Sequence, residues 1–165
     1  MQFAELTPTA QKIISGIFYM TIASADEDGS PWVSPVYFNY DEACNLYWIS
    51  FKDAIHSLNV TVNKKASISI YDSTAPNWKG DGVYLQCDVE VLETANDIAH
   101  GIKSYYGGRH VPHGLDRKEI SDYQADKPWR IYRAVPYDIA TLGEGKQIDG
   151  YPIDQRIPAR IHETK

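Results

Sequence analysis

Ser50, Lys52, His56 and Ser57 crowd a single junction in the chain. Residues 46–51, Leu-Tyr-Trp-Ile-Ser-Phe, form an aromatic and β-branched run that reads as a short strand. Asp53 is a favoured N-cap type, and Ile55, Leu58 and Val62 follow at helical spacing, so the strand is expected to run straight into a helix over residues 53–64. A helix start leaves backbone N–H groups without partners and carries the positive end of the macrodipole, which favours an anion. Hydroxyl, ammonium and imidazole donors within about two turns of that end add charge-assisted hydrogen bonds, and the chemistry such a set performs is phosphate binding. A helix start that is merely capped and solvated uses the same residue types, and from this stretch alone that plainer role leads.

His56 also has the unperturbed pKa of a general base. A partly cationic imidazole at a helix start is better placed to hold an anion than to move a proton, so the phosphate role is preferred. His110 and His113 have a ligand-like spacing in the segment Gly-Arg-His-Val-Pro-His. Pro112 breaks helical presentation there and no nearby Cys or carboxylate pair completes a set, so no metal site is expected. Trp78, beside Lys79 on a loop, together with Arg109 and His113, is the candidate substrate-facing group, because long loops in compact domains often carry function. Trp32, Trp48 and Trp129 read as core or interface. No Ser-His-Asp arrangement, P-loop or dinucleotide fingerprint is present, since neither glycine pair has the strand-turn-helix context.

The chain has 165 residues, 43% of them hydrophobic and 12% aromatic, which suits one domain spanning residues 1–165. A net charge of −6, with no basic run longer than Lys64-Lys65, argues against a nucleic-acid partner. No apolar stretch of membrane-spanning length or signal-peptide pattern occurs, so no membrane association and a cytoplasmic location are expected. Cys44 and Cys87 have no short metal-type spacing and suggest no disulfide framework.

The elements that position the junction are mostly strands. Thr7-Pro8 opens an N-terminal helix over residues 7–17, with Ala10, Ile13, Ile14 and Ile17 on one face. Residues 18–25 and 31–40 make a hairpin about an Asp-Glu-Asp-Gly turn, and residues 46–51 add a third antiparallel strand. Beyond the helix come a strand at 66–71 and another at 82–91, where Val83, Leu85, Cys87 and Val89 alternate with polar residues. A second helix is expected over 95–106, stopped by Gly107-Gly108. Residues 129–142 read as a closing strand interrupted at Pro136, with an extended tail over 143–165. The sum predicts a mainly β chain, a six-stranded antiparallel split β-barrel over about 18–142 with a few short peripheral helices.

In that order, Asp28-Gly29-Ser30-Pro31-Trp32-Val33-Ser34-Pro35-Val36-Tyr37-Phe38, Leu46-Tyr47-Trp48-Ile49-Ser50, His56-Ser57-Leu58-Asn59-Val60 and Trp129-Arg130-Ile131-Tyr132-Arg133-Ala134-Val135-Pro136 resemble the pyridoxamine 5'-phosphate oxidase-like family of FMN-binding split barrels. The resemblance covers about residues 7–142. It implies a homodimer with FMN at the subunit interface. Ser50 and His56 would hold the phosphate, with Ser57 or Lys52 as helpers; Ser34, Pro35, Val36 and Tyr37 would edge the flavin ring with backbone groups, and Ile49 would pack on it. The pocket is less basic than in the true oxidases, with Ser34 and Asn39 at positions where those carry basic residues. Their C-terminal Arg-Leu-His-Asp-Arg run is also absent, residues 143–150 being Gly-Glu-Gly-Lys-Gln-Ile-Asp-Gly, which argues against pyridoxamine phosphate oxidation itself. The resemblance implies an FMN-dependent oxidoreductase acting on a small organic substrate, with a nicotinamide cofactor as the candidate electron donor. A non-catalytic flavin sensor or carrier, or a deazaflavin- or haem-binding split barrel, is the alternative.

Overall fold

The computed structural model describes residues 1–77, 79–108 and 118–160, and only the backbone of residues 144–146 and 152. The candidate substrate residues Trp78, Arg109 and His113, with His110, lie outside the described residues.

Helix α1 (Pro8–Gly16) starts as its sequence implies. Thr7 Oγ1 accepts from the Ala10 amide and Pro8 takes the first turn, while Ala10 and Ile14 are buried. Strands β1 (Tyr19–Ala25) and β2 (Pro31–Tyr37) form the expected hairpin. Its turn is held by Asp26, whose carboxylate accepts from the amides of Asp28 and Ser30, with Gly29 at φ +84°. After Phe38 the chain bends into β3 (Asn39–Tyr40), which pairs with β4 (Leu46–Phe51). Helix α2 (Ile55–Asn63), β5 (Lys65–Tyr71), β6 (Gly82–Val91), α3 (Ala95–Tyr106), β7 (Trp129–Ile148) and β8 (Tyr151–Pro158) follow.

The strands form one antiparallel sheet in the order β2-β1-β5-β6-β7-β4-β3, with β8 on β7. Because β2 and β3 are two halves of one bent strand, the sheet ends meet and six strands wall a split barrel. The described residues form eight strands rather than six, since the long second strand is divided at Phe38 and the tail adds β8. Residues 143–158, expected as an extended tail, form a two-stranded ribbon about the Asp149-Gly150 turn, both with positive φ. Nor is β7 interrupted at Pro136. The proline pairs with Cys87 on the β6 side, and a bulge between Gln86 and Cys87 absorbs Tyr137. The other edge of β7 is unpaired there, between the end of its β4 ladder at Ala134 and the start of its β8 ladder at Ala140, so the missing N–H removes no ladder bond.

Two cores result. Met20, Ile22, Phe38, Leu46, Trp48, Ile68, Ile70, Val83, Leu85 and Cys87 fill the barrel with α1 packed on it. Outside the barrel wall, Tyr47, Ile131, Ile98, Tyr105, Tyr106 and Tyr123 join α3 to β4 and β7. No helix among the described residues is long and apolar enough to cross a membrane.

Candidate functional site

The barrel is split between β2 and β4. Among the described residues, strand β2 pairs only with β1, and β4 pairs with β3 only through Leu46 and Tyr47, so the second edge of Trp48–Phe51 has no strand partner there. His56 spans this gap. Its Nδ1 lies 3.2 Å from Ser34 Oγ on β2, and its Nε2 lies 2.9 Å from Ser50 Oγ on β4. Trp32 Nε1 donates to Ser34 Oγ at 3.0 Å, which makes a four-residue chain from an exposed indole to the end of β4. Three candidate residues far apart in sequence are thus joined by one imidazole.

Helix α2 is positioned to do this by an inverted amphipathic pattern. Val60 packs into the barrel core, but the other residues turned to the barrel are polar: His56 bridges the split, Asn59 Nδ2 donates to Ser24 Oγ at 3.1 Å, and at the exposed end of the helix Asn63 Nδ2 donates to the Asp26 carbonyl at 2.8 Å. The apolar Ile55, Leu58 and Val62, which share the other face, are 46%, 51% and 57% exposed. The N-cap is Ala54 rather than Asp53, and no side chain caps the helix. The chain turns tightly after Phe51, with the Ala54 amide bonded to the Phe51 carbonyl and the Lys52 amide to that of Pro128, so Ala54 takes the extended conformation that precedes a helix. Asp53 pairs with Lys52 at 3.3 Å in solvent. The first helical bond in this turn runs from Leu58 to Ala54, which leaves the Ile55, His56 and Ser57 amides with no intrahelical acceptor.

His56 is buried, and burial alone pushes its pKa below the usual 6.5. Burial thus biases the imidazole toward its neutral form, away from the partly cationic ring expected at the helix start. It holds its serines by hydrogen bonding.

The other candidates divide clearly. Ser34, Tyr37, Ile49 and Ser50 are half-buried along the split, Pro35 and Lys52 are exposed, and Val36 points into the barrel core. Ser57 is wholly buried on the inward side of α2, toward Tyr132 of β7. Two residues not picked out as site residues join the group. Trp32 anchors Ser34, and Arg130 sits opposite Ser50 in the β4–β7 register with its guanidinium on the carbonyls of Ala125, Lys127 and Trp129. The short spacing of Trp32 and Ser34 on one strand was a usable signal for the first. A cleft of about 570 Å³ between the β3–β4 turn and α3, lined by Asp41, His100, Lys103 and Ser104, lies apart from this bridge. Among the described residues no cluster of His, Cys, Asp or Glu could hold a metal ion.

The sequence profile described as pyridoxamine 5'-phosphate oxidase matches residues 6–136. Among curated proteins none matches the chain in sequence. Among solved structures, a heme binding protein from Mycobacterium smegmatis superposes with a TM-score of 0.65 at 16% identity, over 96% of this chain and 59% of that one. A FAD-binding protein from Mesorhizobium loti gives 0.61 at 16% identity, over 81% and 91% of the two chains. An F420 reductase gives 0.54 at 16% identity, over 79% and 94%. At these identities the likeness is one of fold.

Proposed function

The chain belongs to the pyridoxamine 5'-phosphate oxidase family, and on that premise we propose that it is an FMN-binding oxidoreductase acting on a small organic substrate as a homodimer. The observation that carries this reading is the His56 bridge between Ser34 and Ser50, set beneath the free amides at the start of α2. The donor set fits a phosphate: two serine hydroxyls, backbone N–H groups at the positive end of a helix, and Lys52 within reach of the same turn. The fit extends to a flavin ring, because Ser34, Pro35, Val36 and Tyr37 run along the side of β2 that faces the split, with Ile49 across it.

Bound there, FMN would supply the redox chemistry, and the protein would supply position and shielding from water. Ser34, Ser50 and the α2 amides orient the phosphate, and β2 fixes the ring edge. A second copy completes the site in this reading. Ile55, Leu58 and Val62 of α2 and Trp32 and Val33 of β2 leave apolar surface in water on either side of the split, and covering each large side chain is worth roughly 1 kcal/mol. Flavin is favoured over haem by the described histidines, since both nitrogens of His56 and the Nε2 of His100 already lie at hydrogen-bonding distance from hydroxyl groups. The absence of the oxidase C-terminal run argues for a substrate other than pyridoxamine phosphate.

The test is a visible spectrum of the purified protein followed by titration of the flavin-free form with FMN, FAD, F420 and haem. Saturable FMN binding that weakens at least tenfold in a Ser34→Ala/Ser50→Ala double variant is expected. Equal affinity in the variant refutes the phosphate assignment, and preferential haem or F420 binding refutes the cofactor. Turnover of bound flavin by a nicotinamide cofactor and an acceptor separates the enzyme from a carrier.

A further inference from the structure

The bridge at His56 offers different hydrogen-bond donors in its neutral and protonated forms. A neutral imidazole has one N–H, so it donates to one serine and accepts from the other. One serine hydroxyl proton is then turned inward, toward the ring. A protonated imidazole donates from both nitrogens. Both hydroxyls then accept from the ring, and both of their protons are free to point outward, in front of a buried positive charge. An anion at the mouth of the bridge is bound far better by the second arrangement.

The described residues around His56 give it no counter-charge of its own. On the adjoining loop Lys52 and Asp53 pair with each other in solvent. From β7, the Arg130 guanidinium is engaged by three backbone carbonyls, and Tyr132 brings a neutral hydroxyl. Strands β1 and β2 present Ser24, Trp32 and Ser34, and the charged residue of β6 at this helix, Asp88, pairs with Lys65 beyond the far end of α2. Burial, with no carboxylate against the ring among the described residues, disfavours its charged form. A bound phosphate dianion would bring a full negative charge to face it.

We propose that a phosphate-bearing ligand at this junction binds together with a proton taken up by His56. The proposal rests on the phosphate reading above and adds a direction to it: affinity rises as the pH falls from about 8 to about 6, by up to about tenfold per unit while His56 is neutral in the free protein and protonated in the complex.

Calorimetric titration with FMN in two buffers of contrasting ionisation enthalpy measures the protons exchanged. The comparison is with His56→Gln, whose amide has a donor and an acceptor for the two serines but cannot titrate. The phosphate group's own protonation is common to both proteins and cancels in the difference. Wild type is expected to take up more protons than the variant near pH 7, by up to about one per site, and to show the steeper pH dependence. Riboflavin, which lacks the phosphate, should show no such difference. Equal proton counts with FMN bound to both proteins overturn the coupling and leave the phosphate reading standing. Failure of wild type to bind FMN overturns both. A measurement independent of the variant is the NMR titration of the His56 ring with and without FMN, in which a raised pKa in the complex is expected and an unchanged one refutes the proposal.

Discussion

Replacing His56 by Ala should destabilise the protein well beyond an ordinary surface change, because this one ring ties two strands that no backbone ladder joins. Its loss removes hydrogen bonds to Ser34 and Ser50, worth about 1 kcal/mol each. The vacated volume of a side chain that is 8% exposed adds roughly 1–2 kcal/mol. The sum is about 3–4 kcal/mol. For a chain of this length each kcal/mol moves Tm by about 2–4 °C, so a fall of about 10 °C is expected in calorimetry or circular dichroism at pH 7. His56→Gln, which retains hydrogen-bonding capacity, should cost about 1 kcal/mol. The pH dependence has a definite sign. The folded-state pKa of His56 lies below the unfolded value near 6.5, so the unfolded chain gains its proton first. Stability from this group is full above about pH 6.5 and is lost as the pH falls from there through the folded value; the glutamine variant should lack that component. A His56→Ala protein within about 0.5 kcal/mol of wild type would show that the split is held by something else and would refute the reasoning.

Leu58→Asp on the outward face of α2 should leave monomer stability within about 0.5 kcal/mol, since the side chain is half in water, yet shift sedimentation from dimer to monomer at micromolar concentration. Unchanged sedimentation would remove this face from the interface. Gly101→Ala should destabilise by about 1–2 kcal/mol in denaturant unfolding despite the better helix propensity of Ala. A Cβ there would stand 2.6 Å from Leu92 Cδ1 and 3.0 Å from Ile131 Cγ2 in the core that docks α3. A neutral or stabilising result would mean that this second core is loosely packed.

The inner strands were legible because one face of each is dry. Val83, Leu85, Cys87 and Val89 alternate with polar residues and all four are buried, and the 95–106 helix ends at its glycines as written. The anion-site candidates Ser50 and His56 could be picked from residue types at one junction, and Ser34 only through the family resemblance. What the sequence could not show is that His56 would join the two serines, because that depends on how far β2 and β4 part. Periodicity marked Ile55, Leu58 and Val62 as one face of α2 but carries no sign. The inward face is the one that carries Val60 into the barrel core, with Asn59 and Asn63 finding hydroxyl and carbonyl partners on the β1 side. The β7–β8 ribbon was missed for a different reason. Pro136 was read as an interruption and residues 143–165 as an extended tail, yet Pro136, Pro152 and Pro158 all pair in register within β7 and β8, and the Asp149-Gly150 pair was a hairpin signal in plain view.

A helix that buries Val60 alone of its aliphatic residues needs a compensating reason to persist, because burying Asn59 and an imidazole while leaving three aliphatic side chains about half in water gives up much of the usual source of helix stability. The polar ladder of His56, Asn59 and Asn63 supplies part of the compensation through hydrogen bonds to four other segments of backbone or side chain. The rest must come from whatever covers the outer face. If that cover is a second copy, the same nine-residue helix presents donors inward to a phosphate and an apolar stripe outward to its partner. Tilting α2 would then disturb both at once, since its N-terminal turn holds His56 and Ile55 side by side. Ligand affinity and dimer affinity are thermodynamically linked under that arrangement, and each should strengthen the other by the same factor.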